Sequence, residues 1–66
     1  MNDDRIKGNW KQLTGKIKSH WGDLTDDDLK KADGDREYLT GKLQERYGIA
    51  KDEAARQVDK FLRALD

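Results

Sequence analysis

The sequence predicts an all-α fold: a compact four-helix bundle built from two tandem, pseudo-repeated helical hairpins. Three observations carry this expectation. Proline is absent, Lys, Glu, Asp, Gln, Leu and Ala dominate, and nothing alternates at the period-two spacing of a half-buried strand. The apolar residues recur at helical spacing on several segments. Finally, two blocks repeat each other at an offset of 26 residues: Gly8–Asp33 reads GNWKQLTGKIKSHWGDLTDDDLKKAD and Gly34–Asp59 reads GDREYLTGKLQERYGIAKDEAARQVD. Eight positions are identical, among them Leu13 and Leu39, Gly15 and Gly41, and Gly22 and Gly48, and all six glycines fall at matching places. Such a repeat implies one supersecondary unit used twice, neither copy able to bury its apolar face alone.

The first helix is expected from about Asp3 to Trp21. Asn2 serves as its N-cap, and Asp3 and Asp4 sit at the positive end of the helix dipole. Ile6, Trp10, Leu13, Ile17 and Trp21 are spaced 4, 3, 4 and 4, which is one helical face. Gly22 then stands where a left-handed C′ residue is wanted. The second helix, about Asp26 to Ala32, has the clearest start in the chain. Thr25 is the N-cap, Asp28 stands at N3 as in a capping box, and Leu24 can staple onto Leu29. Asp33–Gly34 ends that helix and caps the next. The third helix, about Asp35 to Tyr47, repeats the first with Leu39, Leu43 and Tyr47 on its apolar face and Gly48 as its stop. The fourth, about Lys51 to Ala64, carries the wide face Ala54, Ala55, Val58, Phe61, Leu62 and Leu65. Its start lacks a good cap, since Ala50 and Lys51 stand where the first copy has Leu24 and Thr25, and this junction is expected to fray first. Short connections then close the helices around one core.

Sixty-six residues make one small domain, residues 1–66, near the lower limit for folding without staples. Without cysteine, disulfides and thiolate sites are excluded. No run approaches the ~18 apolar residues of a membrane span. The charged N-terminus, MNDDRIKGNW, has no apolar core region, so no secretory leader is expected. A cytoplasmic monomer with no cofactor is the expectation, its partner unknown. Charged residues are 42% of the chain and apolar ones 33%, a balance that leans toward disorder. Zero net charge and periodic apolar spacing oppose it. Each half holds seven basic and seven acidic side chains, so no whole-molecule field steers a polyanion or a membrane surface to the chain. The result is a folded, marginally stable domain with a very hydrophilic shell.

Catalysis has little to work with. His20 and Ser19, each the only one of its kind, are sequence neighbours that a helix points about 100° apart, so no base–nucleophile pair is expected. His20 reads as a residue at the edge of the apolar stripe. The acidic cluster Asp23, Asp26, Asp27 and Asp28 lacks the alternation and glycine of an EF-hand loop. Capping and dipole compensation account for it without a metal.

One surface stands apart. Residues 5–22 contain Arg5, Lys7, Lys11, Lys16 and Lys18 and no acid. On a wheel with Ile6 at zero, Lys7, Lys11 and Lys18 align at roughly 100–140°, beside Gly8 and Gly15 at roughly 180–200°, opposite the apolar stripe. Gly34 and Gly41 take the equivalent direction in the third helix. A mid-helix glycine costs about 1 kcal/mol relative to alanine, so the strip is either a tolerated defect or a smooth surface for another chain. Lys7, Gly8, Lys11, Gly15 and Lys18 are therefore the candidate binding surface, and a phosphate backbone is one ligand such a stripe would fit. Glu37 and Glu45 on the matching face of the third helix, the zero net charge and the burial of both tryptophans favour a solvated face over nucleic-acid binding.

The blocks GNWKQLTGKIKSHWGDLTDDDL (Gly8–Leu29) and GKLQERYGIAKDEA (Gly41–Ala54) together resemble the CsbD-like family, small bacterial proteins associated with general stress responses. They cover about half the residues, and the family's length matches that of the whole chain. The resemblance implies a small helical bundle, a bacterial cytoplasmic setting and stress-linked expression. It brings no catalytic residue and no cofactor. Two functions follow as expectations: a non-enzymatic, hydrophilin-like protectant, or a small module binding nucleic acid or protein through the basic, glycine-containing face of the first helix.

Overall fold

The computed structural model describes residues 3–65, and side chains from Ile6 to Leu65. Among these residues there are five helices and no strand: α1 (Asp3–Gly8), α2 (Trp10–His20), α3 (Asp26–Ala32), α4 (Arg36–Tyr47) and α5 (Lys51–Ala64). They pack to a radius of gyration of 10.6 Å.

The single helix expected over Asp3–Trp21 is two. The helical path is interrupted at Asn9 (φ −110°, ψ 13°), whose carbonyl accepts the amides of Gln12 and Leu13 at 3.0 and 2.9 Å and so opens α2. Gly8 and Asn9 are both poor helix formers, and the pair is where the helix yields. The expected cap Asn2 and the side chains of Asp3 and Asp4 lie outside the described residues.

At the other end of α2 the chain leaves the helix at Trp21 (φ −118°, ψ 87°). Gly22 is consequently not the left-handed stop expected of it; positive φ occurs among the described residues at Asp33, Gly34 and Gly48. Trp21 is buried and its indole N–H donates to Gln57 Oε1 of α5 at 3.0 Å, a pull inward that ends the helix before Gly22.

The start of α3 follows the expected capping box. Thr25 Oγ1 accepts the Asp28 amide at 3.1 Å and Asp28 Oδ2 accepts the Thr25 amide at 3.2 Å, while Leu24 and Leu29 are both buried. The turn into α4 runs through Asp33 and Gly34, both with positive φ, and the cap is Asp35, whose Oδ1 accepts the amides of Glu37 and Tyr38 at 2.9 and 3.2 Å. Gly34 therefore sits outside the helix and is buried, not on an exposed strip. Gly48 ends α4 in the left-handed conformation, and Ala50, at the N-cap of α5, supplies no side-chain cap, both as expected.

The core joins the apolar faces of all five helices. Ile6, Trp10, Leu13, Ile17 and Trp21 meet Leu24, Leu29, Leu39 and Leu43, and α5 covers them with Ala54, Val58, Phe61 and Leu62. Ala55 and Leu65 are half-buried at its edge. The buried Trp10 indole donates to the Leu29 carbonyl at 3.0 Å, fixing α2 to α3. Tyr47 departs from expectation: it is 39% exposed. Its hydroxyl accepts the Asp23 amide at 3.1 Å and so ties the α2–α3 connection to the end of α4.

Candidate functional surface

Lys7, Gly8, Lys11, Gly15 and Lys18 are all exposed. The interruption at Asn9 divides them: Lys7 and Gly8 belong to α1, the other three to α2, so one helical wheel no longer relates them. Lys7 lies over the α3–α4 turn, where a Cβ built on Gly34 would stand 2.9 Å from its Cα. Lys11 lines a shallow groove of about 310 Å³ between α2 and α3 with Trp10, Thr14, Asp26, Lys30 and Asp33. Lys18 pairs with Asp26, Nζ to Oδ1 at 2.7 Å, with both side chains largely in solvent. The glycines fare differently. Beyond the adjacent residues and the helix's own backbone, no atom lies within 4 Å of the place a Cβ would take at Gly8, Gly15 or Gly41, so these three present bare backbone to open space.

The strongest polar constellation escaped the sequence. Asp28 is 4% exposed, yet it carries a charge. Its carboxylate accepts from Arg46 Nε at 2.9 Å and Arg46 Nη2 at 3.0 Å, in addition to the Thr25 amide, and Lys42 Nζ stands 3.8 Å away. The Arg46 hydrogen bonds, reinforced by the cap, overcome the cost of burial and hold the Asp28 pKa at about 2 against an ordinary 3.8. Asp28 in turn raises the pKa of Arg46, and Glu45, 3.2 Å from the Lys42 ammonium, raises that of Lys42. Every oxygen of Asp28 is thus committed to structure, α3 to α4. Arg36 makes a single contact with Asp59, Nη2 to Oδ1, that joins α4 to α5 between partly exposed side chains.

His20 is exposed, its ring edge-on to Trp21 at 4.5 Å and tilted toward Phe61 at 5.1 Å. With Gln57, Lys60, Phe61, Ala64 and Leu65 it lines an open groove of about 440 Å³. A second groove of about 400 Å³ runs between α4 and α5 past Arg36, Thr40, Gly41 and Gln44. Among the described residues no group of three His, Cys, Asp or Glu is placed to hold a metal ion, and no helix is long and apolar enough to cross a membrane.

A family model described as CsbD-like matches residues 4–56. A UPF0337 protein of Pseudomonas aeruginosa is 69% identical over 61 residues, spanning 92% of this chain and 94% of that protein. One of Rhodopirellula baltica is 64% identical over 61 residues, 92% of this chain and 90% of that one. UPF0337 protein YjbJ of Escherichia coli is 52% identical over 66 residues, 100% of this chain and 96% of that protein.

Proposed function

The chain belongs to the CsbD-like family, and from that membership we propose that it is a non-enzymatic bacterial stress-response protein, acting in the cytoplasm as a monomer and protecting other macromolecules through its charged, hydrated shell. One observation carries the proposal. The core takes up the large apolar side chains while 42% of the residues are charged and the mean hydropathy is −1.20. Tyr47 is the one large apolar side chain exposed among the described residues. The folded molecule thus offers its neighbours water-ordering charge of both signs and very little sticky surface. Zero net charge lets it crowd beside clients of either sign without a long-range field. In the same reading the fold is a four-helix bundle of two hairpins related by the repeat, α2–α3 and α4–α5, with α1 packed on as a fifth, short element.

A competing function, a binding module on Lys7, Gly8, Lys11, Gly15 and Lys18, draws support from the exposure of all five and the bare backbone at both glycines. Lys18, paired with Asp26, weighs against it. One variant separates the two. A labile enzyme is dried or heated with the chain or with its Lys7→Ala/Lys11→Ala/Lys18→Ala form. A shell-based protectant keeps its effect in the triple variant. A binding module loses it, and NMR titration of the unsubstituted chain with short RNA and DNA duplexes at low salt would then show shifts confined to those positions.

A further inference from the structure

The turn between α3 and α4 holds the one Asp–Gly dipeptide of the sequence, Asp33–Gly34. Asp33 is exposed and left-handed (φ 46°, ψ 45°), and Gly34 follows at φ 84°. Gly34 is buried directly beneath Lys7 of α1; a Cβ at Gly34 would stand 2.9 Å from the Lys7 Cα, so only glycine leaves room for it there. The turn is held further by the Asp33 amide on the Leu29 carbonyl (3.2 Å) and the Asp35 amide on the Ala32 carbonyl (2.8 Å).

An aspartyl–glycyl bond is prone to cyclise, because glycine has no side chain to hinder attack by its own amide nitrogen. The Gly34 nitrogen adds to Asp33 Cγ; a C–N bond forms, and the amide proton leaves with the carboxyl OH as water. One water then opens the succinimide ring. Attack at the former main-chain carbonyl leaves the chain running through Cγ, an isoaspartyl linkage with one extra backbone carbon and a free α-carboxylate. Water lost is water regained, and no oxidant or reductant is involved.

Ring closure requires the Gly34 nitrogen and Asp33 Cβ on the same side of the Cα–C bond. At ψ 45° they stand close to opposite sides. Bringing them together demands a large rotation that would drag Gly34 out from under Lys7 and break the Asp35–Ala32 hydrogen bond. The element pressing on the turn is also the shortest helix among the described residues: α1 has six residues, and α2 begins after it without a side-chain cap.

We propose that Asp33–Gly34 is a fold-gated isoaspartate site. Seated on Gly34, α1 holds the peptide in an unreactive geometry. Release of α1 by heat or ageing opens it to cyclisation and makes the loosened molecules substrates for a carboxyl methyltransferase that recognises isoaspartyl residues. The extra backbone carbon prevents the turn from re-forming, so the mark outlasts the stress.

The test compares the intact chain with a free peptide of residues 31–36 at neutral pH and physiological temperature. Isoaspartate is counted by methyl transfer from S-adenosylmethionine and located by peptide mapping. The folded chain is expected to react at least about tenfold more slowly than the peptide. Ile6→Ala, which loosens α1, should approach the peptide's rate, and Asp33→Glu should abolish the signal. Reaction of the intact, fully helical chain at the peptide's rate would overturn the proposal. So would a slow Ile6→Ala chain whose α1 amides exchange freely with deuterium. If Ile6→Ala does not fold, the comparison of intact chain with peptide decides alone.

Discussion

Replacing Asp28 by asparagine isolates the charge at the α3–α4 contact while keeping the side chain's size and an oxygen for the Thr25 amide. The Asp28 carboxyl titrates at about 2 in the folded chain against 3.8 ordinarily, principally through its hydrogen bonds from Arg46. A displacement of nearly two on the pH scale, at about 1.4 kcal/mol for each, sets a ceiling of roughly 2.5 kcal/mol. The Arg46 side chain is 38% exposed, and screening by solvent lowers the expected value to about 1–2 kcal/mol. Because the folded value lies below the unfolded one, this contribution is complete above about pH 4 and is lost as the pH falls through about 2. Thermal melts followed by far-ultraviolet circular dichroism, run from neutral pH downward, should show Asp28→Asn less stable at neutral pH. The gap should narrow as the unsubstituted chain protonates. A gap that stays constant across that range would refute the reasoning, since the cost would then come from shape or capping and not from the ion pair.

Three further outcomes follow from the packing. Leu43 is fully buried, so Leu43→Ala should cost ~2–5 kcal/mol, most of what a domain this small holds in reserve; a urea titration should find much of the population unfolded. Gly15→Ala adds a methyl group into open space on an exposed helical face and should raise stability by up to ~1 kcal/mol. Gly34→Ala must seat its Cβ against Lys7 at positive φ and should lower stability, so the same substitution at these two glycines should have opposite signs in paired melts.

Patterns carried within a single helix or its caps were legible in the sequence. Thr25 with Asp28 marked a helix start, Gly48 a stop, and the spacing from Ala54 to Leu65 gave α5 its limits at Lys51 and Ala64. The break at Asn9 was missed because an unbroken apolar stripe, all of it buried, runs across it. Yet the repeat contained the signal: 26 residues beyond Asn9 stands Asp35, the cap of α4, and 26 beyond Trp10 stands Arg36, its first residue. Tyr47 lies on the apolar face of α4 but in its last turn, where the neighbour is the Asp23 backbone and not the core. Asp28 and Arg46 lie 18 residues apart and meet only because α3 folds back on α4, a tertiary fact that no local spacing encodes. The candidate surface shared the fate of the helix beneath it: its residues are exposed as expected, but Lys7 belongs to a different helix from Lys11 and Lys18.

The central claim is that protection comes from a charged shell which the fold assembles around a buried core. It is tested most directly by the residual activity of a labile enzyme after drying, with equal masses of the native chain and of a scrambled chain of identical composition. The native chain should preserve more activity, because scrambling leaves its tryptophans, leucines and phenylalanine unburied while changing no charge. Equal protection by the two would contradict the account, since composition alone would then suffice, and no protection by the native chain would remove it.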